Sequence, residues 1–436
     1  MRILTGAAAN ARVHKMSSRG ARYAEVEPVV RKIIADVRND VRNNGRNHVR
    51  NDNDCADIRD RALRKYAEKW DGLRPQQSLQ VPEEEIQAAW KSARPELKRA
   101  LQEAAANIRQ FCEWQKPAEW THTRNGITVG QIVRPLDSVG SYVPGGRYPL
   151  VSTLLMTVIP AQVAGVQTIR VVSPQPQADL LAAAGMLGVR ELYRIGGAQA
   201  VAALAYGTPS VPRVDKIVGP GNLYVTAAKR LVSFDCAIDF LAGPTEAVIV
   251  SDTGTPEFIA ADMVAQSEHD PEALAIFITT RNDLARQVSL AADNLSQRNV
   301  TARQSLRRNG VILVSASRRE SFDWANELAP EHITVNAADV ALVQNAGSVF
   351  VGDYSPQAAG DYASGPNHVL PTGGAARFRG GLGVLDFVKL ISIQKLSRVG
   401  LKRIAPTVEL LANAEGLRAH EESIQMRFNH ERGDHA

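Results

Sequence analysis

Apolar strand-like and helix-like segments alternate through the middle of the chain, and this alternation constrains the fold more than any other feature. The first run has predicted strands at Val139–Val143, Thr168–Val172, Glu191–Ile195 and Lys216–Val218, with predicted helices at Leu150–Ala164, Ala178–Leu187 and Ala198–Tyr206 between them. The second run has predicted strands at Ala247–Val250, Ala273–Thr279 and Gly310–Val314 and a helix at Pro256–His269. Strands that alternate with helices form parallel sheets covered on both faces. We therefore expect two α/β units, between a helical N-terminal region and a helical tail from about Val384.

Size and cysteine content favour a cytoplasmic protein with more than one domain. The chain has 436 residues, 44% of them hydrophobic, which is enough for sizeable cores. Cys55, Cys112 and Cys236 lie far apart without a CxxC pair, which predicts reduced thiols rather than disulfides or a thiolate metal site. The first residues do not resemble a cleavable secretion signal, and no apolar run reaches the roughly 18 residues of a membrane span. We expect neither secretion nor membrane insertion.

The basic charge of the chain is local. Residues 1–70 contain 16 Lys and Arg against 9 Asp and Glu, whereas the whole chain has a net charge of +5, so the remaining residues are slightly acidic. This stretch includes residues 38–54, a repetitive Asn- and Arg-rich segment with too few apolar residues to be buried. Acidic residues are interleaved with these arginines, and no Phe, Tyr or Trp accompanies them. We expect a solvated insertion here and no nucleic-acid binding.

Gly-rich turns follow three of the predicted strands. They are Pro144-Gly145-Gly146, Gly196-Gly197-Ala198-Gln199 and Gly219-Pro220-Gly221-Asn222. In a parallel sheet such turns stand at the carboxyl ends of strands, where nucleotides bind against helix N-termini. None of the turns is a GxGxxG fingerprint. They are either ordinary loop punctuation or a nucleotide site.

A second set of polar residues is suited to a divalent metal. Gln266 and His269 are three residues apart and are expected on one face of a helix. Asp361 in a Gly-rich turn and His420 in the tail would add a carboxylate and a second imidazole. Amide, imidazole and carboxylate ligands together favour a borderline cation such as zinc and leave positions open for substrate. The alternative is that Gln266 and His269 are polar residues on an amphipathic helix.

Eight stretches of the sequence carry a resemblance to a known enzyme family. They are Tyr142–Gly146, Arg194–Ala200, Val218–Asn222, Ala242–Glu246, Gln266–His269, Ala329–His332, Gly360–Pro371 and Ala414–His420. In this order they resemble the histidinol dehydrogenases, and the similarity covers the chain from about residue 60 to residue 428. The resemblance implies a zinc-dependent dehydrogenase that uses two NAD to oxidise L-histidinol to L-histidine through L-histidinaldehyde, the last steps of histidine biosynthesis.

The resemblance also implies roles for individual residues. The zinc ligands of the family fall on Gln266, His269, Asp361 and His420, and its acid/base pair falls on Glu331 and His332. Its NAD contacts fall on Tyr142, Gln199 and Asn222. Its substrate contacts fall on Thr245, His332, Glu415 and the four zinc ligands. Thr245 departs from the serine that the family usually has, but it keeps the hydroxyl group.

The fold implied by the resemblance is α/β, with two Rossmann-like parallel-sheet domains of aldehyde-dehydrogenase type and helical N-terminal and C-terminal arms. The implied boundaries are 1–24 for the N-terminal helical arm, 25–141 plus 246–382 for the first α/β domain with the metal and catalytic residues, 142–245 for the second, NAD-binding α/β domain, and 383–436 for the C-terminal helical tail. The family is a homodimer whose tail crosses to the partner subunit. We therefore expect Glu415 and His420 to complete the site of the other subunit.

The Glu331-His332 pair must meet a geometric condition if it is to act as the resemblance implies. His332, with an ordinary pKa near about 6.5, suits the role of accepting a proton from an alcohol, and Glu331 suits the activation of water against an aldehyde. Adjacent residues of a regular strand point in opposite directions. The two side chains can share a site only if Pro330 holds them in an irregular turn. Otherwise the Pro-Glu-His stretch is a surface loop.

Two other functions remain open at this point. One is a related zinc- and NAD-dependent alcohol dehydrogenase that acts on another small diol, for example a sulfonated propanediol. The other is an inactive paralogue that serves as a binding protein, which the complete set of ligands and acid/base residues argues against. His368 either hydrogen-bonds near the metal or satisfies its own loop.

Overall fold

The chain folds into two compact units. The computed structural model describes residues 1–18, 23–38, 52–145 and 150–429, with side chains from residue 58 onward in the third range. Unit 1 comprises Met1–Gln115 and Leu136–Phe387, and unit 2 comprises Lys116–Pro135 and Val388–Ala436. Most of the Asn- and Arg-rich insertion predicted at 38–54 lies outside the described residues. The four-part domain division stays a prediction.

Strands and helices make up most of the described residues. The strands are β1 (Arg2–Thr5), β2 (Trp120–Arg124), β3 (Ile127–Pro135), β4 (Ser138–Tyr142), β5 (Thr168–Val172), β6 (Glu191–Tyr193), β7 (Lys216–Val218), β8 (Ala237–Ile238), β9 (Glu246–Val250), β10 (Leu274–Thr279), β11 (Val311–Val314), β12 (His332–Val335), β13 (Ser348–Val351) and β14 (Val388–Leu396). The helices are α1 (Gly6–Ser17), α2 (Tyr23–Arg38), α3 (Asp52–Trp70), α4 (Glu83–Ser92), α5 (Pro95–Trp114), α6 (Val151–Ala164), α7 (Ala178–Met186), α8 (Gly197–Tyr206), α9 (Leu223–Val232), α10 (Pro256–Ser267), α11 (Asn282–Leu295), α12 (Val300–Arg308), α13 (Arg318–Leu328), α14 (Gln357–Tyr362), α15 (Arg398–Ala414) and α16 (Arg418–Asn429).

Unit 1 contains a six-stranded parallel sheet. Its order is β1-β11-β10-β9-β12-β13. The chain adds β10 and β11 on one side of β9 and then β12 and β13 on its other side. Successive residues of its strands enter different cores, as Val248 packs with residues of α1 and α13 and Ile249 packs with residues of α10 and α11. This two-sided burial explains why the strands are almost continuously apolar.

Unit 1 also contains a five-stranded parallel sheet with the same winding order. Its order is β6-β5-β4-β7-β8, again with the first strand of the run at the point where the direction of winding reverses. One face packs against α4, α5, α6 and α7, and the other against α2, α3, α8 and α9. The prediction of two parallel sheets covered by helices on both faces is therefore confirmed.

Unit 2 contains an antiparallel sheet that the sequence analysis did not predict. Its order is β14-β3-β2, and the nine residues of β14 pair along the whole length of β3. The predicted helical tail thus begins with a strand and becomes helical only at α15. The partner of β14 lies more than 250 residues earlier in the chain, since Val388 pairs with Pro135, so local periodicity could not reveal the pairing.

The predicted elements between residues 139 and 314 agree closely with the structure. The predicted strand at Thr168–Val172 coincides with β5, and the other predicted strands and helices of both runs are present with ends shifted by a few residues. The sequence analysis missed β1, which adds to the edge of the six-stranded sheet beside β11, and it missed β12 and β13. Each of these three strands is four residues long.

In the part of the chain that the structure describes, no helix is both long and apolar enough to cross a membrane.

Candidate active site

The predicted acid/base pair lies at the amino edge of the six-stranded sheet. Ala329 has a left-handed backbone (φ 47°) and ends α13, and β12 begins only at His332. Glu331 therefore lies in the turn before the strand, and its Oε2 atom approaches Nδ1 of His332 to 3.7 Å. Both side chains are buried. The irregular turn that the sequence analysis required is present.

Glu331 is held by groups from the start of the neighbouring strand β9. Its Oε2 atom accepts hydrogen bonds from the hydroxyl of Thr245 (2.5 Å) and the backbone N–H of Glu246 (2.9 Å). The Thr245 hydroxyl in turn accepts a hydrogen bond from the side-chain amino group of Gln266. Burial raises the pKa of the Glu331 carboxyl, against the opposing effects of His332 and of these hydrogen bonds. Three predicted site residues from distant parts of the sequence thus form one chain of contacts.

His332 stands between two carboxylates. Its Nδ1 atom is 3.3 Å from the carbonyl oxygen of Glu246, and its Nε2 atom is 3.7 Å from Oδ1 of Asp361. The ring also packs beside Phe350, with 5.8 Å between ring centroids. Burial acts to lower the pKa of His332, but Glu331 and Asp361 favour the imidazolium more strongly, so its pKa is raised. The same pairing outweighs the burial of Asp361 and lowers the pKa of that carboxyl.

His368, whose role the sequence left open, is a buried part of the loop that supports Asp361. Its Nδ1 atom is 2.7 Å from the carbonyl oxygen of Asp361, and its Nε2 atom is 3.3 Å from the hydroxyl of Thr153. Because a carbonyl only accepts, Nδ1 carries the proton and Nε2 accepts from Thr153. Burial lowers the pKa of His368, which keeps the ring neutral.

A cavity of about 380 Å³ opens beside His332 in unit 1. Its lining also includes His368, Phe350, Tyr354 and Asn367. Histidine nitrogens, an amide and aromatic faces are suited to a small, flat, polar molecule. His332, one member of the predicted acid/base pair, therefore lines a cavity of the size that a small ligand needs.

The predicted metal ligands of unit 1 approach the same place from two helices. Gln266 is buried in the last turn of α10, and Asp361 lies near the end of α14. The expectation that His269 shares a helix face with Gln266 is wrong, because α10 ends at Ser267 and His269 is exposed in the following turn. His269 still lies close enough to Asp361 to help lower the pKa of that carboxyl. Among the described residues, no three His, Cys, Asp or Glu side chains form a group that could hold a metal.

The chemistry of this donor set nevertheless fits zinc. Gln266 turns its amino group toward Thr245, so its carbonyl oxygen is the atom left to bind a cation. His269 and Asp361 add an imidazole and a carboxylate, which zinc takes in mixed sites. Because Gln266 is an amide ligand, the proposed zinc ligands of unit 1 include only two His, Cys, Asp or Glu side chains, His269 and Asp361.

Glu415 and His420, the remaining predicted site residues, belong to unit 2. Glu415 follows the last residue of α15, and Gly416 (φ 74°) then breaks the helix before α16 begins at Arg418. His420 is exposed in the first turn of α16. Gly416 therefore separates the two helices of the tail.

The predicted NAD contacts lie at the carboxyl edge of the five-stranded sheet. Tyr142 ends β4, Gln199 lies in the first turn of α8, and Asn222 caps α9 by accepting hydrogen bonds from the N–H groups of Tyr224 and Val225. The hydroxyl of Tyr142 accepts a hydrogen bond from the N–H of Gly197. Tyr142 and Asn222 therefore flank the point where the winding of the sheet reverses, the usual ligand position in such folds.

The glycines of these turns serve close packing within the protein. A Cβ at Gly219 (φ 111°) would lie 2.1 Å from the carbonyl oxygen of Tyr142, and a Cβ at Gly196 would lie 2.7 Å from Pro174. The sequence left open whether these turns are ordinary loop punctuation or a nucleotide site. In the structure, Gly196 and Gly219 admit neighbouring proline and backbone atoms.

Two buried oxygen atoms at this edge lack a partner. Among the described residues, neither Oε1 of Gln199 nor Oγ of Ser173 makes a hydrogen bond, although both side chains are buried. Native proteins leave few buried polar atoms unpaired, and such atoms often await a ligand or water. This observation fits a cofactor site that presents hydrogen-bond acceptors.

Several residues that hold these sites were missed by the sequence analysis. Asp71 accepts hydrogen bonds from the Gly196 N–H and the Gln199 side chain, and Asp239 accepts one from the Gly219 N–H. Lys229 forms a buried ion pair with Asp239. No sequence pattern marks these residues, because each lies in an ordinary helix or loop and its partner is decided by the fold.

The fold and the site together define a class of enzyme. The chain has two parallel sheets covered by helices. One presents a buried Glu-His pair beside a cavity, and the other presents glycine turns at the point where the direction of winding reverses. This combination is typical of dehydrogenases that bind a dinucleotide. The histidinol dehydrogenase family model matches residues 17–428. The chain belongs to the histidinol dehydrogenase family, and its members are oxidoreductases.

Individual relatives agree with this assignment. The chain is 46% identical over 383 residues to histidinol dehydrogenase of Methanothermobacter thermautotrophicus, covering 85% of this chain and 90% of the relative. It is 42% identical over 437 residues to that of Methanosarcina barkeri, covering 96% of each. The crystal structure of histidinol dehydrogenase from Elizabethkingia anophelis superposes with a TM-score of 0.89 at 33% identity and covers 98% of both chains.

Proposed function

We propose that this protein oxidises L-histidinol to L-histidine through L-histidinaldehyde, with two NAD and one zinc ion per site, in the last steps of histidine biosynthesis. The observation that carries the proposal is the buried Glu331-His332 pair beside a cavity, in a chain of the histidinol dehydrogenase family. The two widely separated, buried free thiols, Cys112 and Cys236, fit an enzyme of the cytoplasm.

His332 is the proposed base for the alcohol. Because its Nδ1 atom faces the carbonyl of Glu246, that nitrogen carries the proton of the neutral ring, and Nε2 is the free acceptor. Nε2 can therefore take the alcohol proton when a hydride leaves the adjacent carbon. The imidazolium that forms is stabilised by the carboxylates of Glu331 and Asp361, the groups that raise the pKa of His332.

Glu331 is the proposed base for the second step. Burial raises its pKa, so its carboxylate is a stronger base than an exposed one and can remove a proton from water that attacks the aldehyde. Thr245 and the Glu246 N–H hold the carboxylate in place through Oε2. The aldehyde hydrate formed in this way carries the hydrogen for the second hydride transfer.

The proposed zinc ligands are Gln266, His269 and Asp361 from one subunit and His420 from the other. When bound, zinc supplies a Lewis acid that anchors the nitrogen atoms of the substrate and orients its alcohol carbon. Thr245 positions Gln266 for this task, because its hydroxyl accepts a hydrogen bond from the Gln266 amino group. Glu415 would contact the substrate from the same tail as His420, in a homodimer with shared sites.

The proposed NAD contacts are Tyr142, Gln199 and Asn222. When bound, NAD supplies the hydride acceptor for both steps. Tyr142 and Asn222 hold the two turns that flank the point where the winding direction of the five-stranded sheet reverses. Gln199 has a buried oxygen without a hydrogen-bond partner among the described residues.

The reaction stoichiometry tests the proposal. We expect the purified protein to form two NADH per L-histidinol, to contain zinc by elemental analysis, and to prefer L-histidinol over small diols, including a sulfonated propanediol. Turnover of a diol with no turnover of L-histidinol would assign the other dehydrogenase function, and the absence of NADH with all of them would refute both.

The variant Glu331→Gln separates the proposed role of the Glu331 carboxylate from that of the His332 imidazole. Because glutamine cannot remove a proton from water, we expect a single-turnover burst of one NADH per site, followed by slow formation of the second. A burst of two NADH at the normal rate would show that Glu331 does not activate water.

A further inference from the structure

Asp71 is a buried carboxylate to which neither the sequence nor the proposed mechanism assigns a role. It directly follows α3, and only 5% of its surface is exposed. Its Oδ2 atom accepts two hydrogen bonds of 2.9 Å, one from the backbone N–H of Gly196 and one from the side-chain amino group of Gln199. Asp71 thus holds both the glycine turn and the polar side chain that follows it.

The contact with Asp71 determines which way the Gln199 amide faces. An ionised carboxylate only accepts hydrogen bonds, so Gln199 must turn its amino group toward Asp71 and its carbonyl oxygen away. That oxygen, Oε1, is buried and has no partner among the described residues. Gly197 lies next to it, and a Cβ at this glycine would stand only 2.7 Å from Oε1. The absence of a side chain at Gly197 therefore leaves space beside this buried oxygen.

The other glycine turn of this sheet edge provides an informative contrast. Asp239 accepts a 2.7 Å hydrogen bond from the Gly219 N–H, as Asp71 does from Gly196. The charge of Asp239 is neutralised by the buried ammonium of Lys229, which also donates to the Gly219 carbonyl (3.0 Å). Within residues 1–18, 23–38, 52–145 and 150–429, no such ion pair involves Asp71. Its second hydrogen bond goes instead to a side chain of the proposed cofactor site.

We propose that Asp71 is a positioning residue for the dinucleotide: it orients the Gln199 amide so that Oε1 accepts a hydrogen bond from a hydroxyl or amino group of NAD. This inference rests on the proposed function, because it assumes that Gln199 contacts NAD. It adds a residue from the N-terminal part of unit 1 to a site built from the five-stranded sheet.

Asp71→Leu tests the orientation directly in the full-length enzyme. Both hydrogen bonds of Asp71 go to the one atom Oδ2, and leucine removes this acceptor, so nothing holds the Gln199 amino group away from the side where NAD requires an acceptor. We expect KM for NAD to rise roughly tenfold or more, the usual effect of one mismatched hydrogen bond. We expect kcat at saturating NAD and KM for L-histidinol to stay within about threefold. Asp235→Asn is the matched control, since Asp235 accepts a hydrogen bond from Tyr206 at an exposed position, and its KM for NAD should not change.

Two further variants distinguish orientation from simple support of the turn. In Asp71→Asn the one carbonyl oxygen can take the place of Oδ2 and accept from both the Gly196 N–H and Gln199, so KM for NAD should stay within about threefold of the wild-type value. Because Asp71 is proposed to act through Gln199, the double variant Asp71→Leu with Gln199→Leu should have a KM for NAD within about threefold of that of Gln199→Leu alone. A further tenfold rise in the double variant, or a raised KM in Asp71→Asn, overturns the proposal, as does an Asp71→Leu variant that has an unchanged KM for NAD or does not fold. Failure of the proposed function is distinct, because the wild-type protein would then form no NADH from L-histidinol.

Discussion

The two parallel sheets of unit 1 share a winding order but present their polar groups at opposite edges. In the six-stranded sheet, Thr245, Glu331 and His332 lie at the amino ends of β9 and β12. In the five-stranded sheet, Tyr142 and Asn222 lie beyond the carboxyl ends of β4 and β7. Winding order alone would place ligands at the carboxyl edge of both sheets. Equal topology therefore does not imply an equal use of the sheet.

The two edges also hold their polar groups in opposite ways. At the amino edge, the hydroxyl of Thr245 and the N–H of Glu246 fix a carboxylate, Glu331, beside His332. At the carboxyl edge, buried carboxylates fix backbone N–H groups, as Asp71 does for Gly196 and Asp239 does for Gly219. The first arrangement presents a base for proton transfer, whereas the second shapes turns and presents neutral acceptors. We interpret the amino edge as the reacting end and the carboxyl edge as the cofactor end.

The largest expected effect concerns whether one subunit supplies all the ligands of the proposed zinc site at the amino edge. If His420 of one subunit serves the zinc of the other, His269→Ala and His420→Ala should each lose zinc and turnover, while a mixed dimer regains one intact site. Mixing the two inactive proteins under conditions of subunit exchange should restore up to about half the activity per mixed dimer. Each variant alone under the same exchange conditions is the control. Verified exchange without recovered activity would show that each subunit completes its own site.

His332→Asn should separate the reacting edge from the cofactor edge. Loss of the proposed base should lower kcat by about 10²- to 10⁴-fold, the usual contribution of general base catalysis. Binding of NADH, followed by fluorescence titration, should change by less than about twofold, because the proposed NAD contacts belong to the other sheet. A kcat within tenfold of the wild-type value would remove His332 from the chemistry, and a large loss of NADH affinity would contradict the division of labour between the edges.

Thr245→Val should weaken the amino edge without removing a proposed base. Valine matches threonine in shape but removes the hydroxyl that donates to Glu331 and accepts from Gln266. Because Glu331 and Gln266 both lose this contact, the transition state should lose about 1–3 kcal/mol of stabilisation. We therefore expect kcat to fall by about 10- to 100-fold. Thr245→Ser keeps the hydroxyl and should retain most of the activity. Equal activity of the valine and serine variants would mean that the hydroxyl does not position Glu331.

Lys229→Met should affect the carboxyl edge mainly through stability. The variant leaves Asp239 buried without its cation, which should lower the free energy of unfolding by about 3–5 kcal/mol with little change in kcat of the folded enzyme. Urea unfolding measures the first quantity. The more exposed pair of Lys216 with Asp386 provides the control, because Lys216→Met should cost less. A large loss of kcat with unchanged stability would instead give Lys229 a role in the reaction.

The sequence predicted the parts of the site whose chemistry is visible in residue type and order. The positions of β4, β5, β7, β9 and the helices between them followed from apolar periodicity, and the motifs around Glu331 and Asp361 pointed to the family that the chain belongs to. The expectation that His269 shares a helix face with Gln266 failed because periodicity does not show where α10 ends. The strand β14 was missed because its partner β3 lies in a distant part of the chain.

The sequence alone therefore determined the two α/β runs, the family and the candidate residues, because these depend on local patterns of apolar, glycine and polar side chains. Only the tertiary structure decided that Glu331 lies just before β12 and His332 at its first residue, and that Thr245 links Gln266 to Glu331. Likewise, only the fold brought Asp71 to Gly196, more than 100 residues along the chain. A buried carboxylate finds its donors by proximity in space, since a desolvated charge must be satisfied by whatever groups the packing brings within reach.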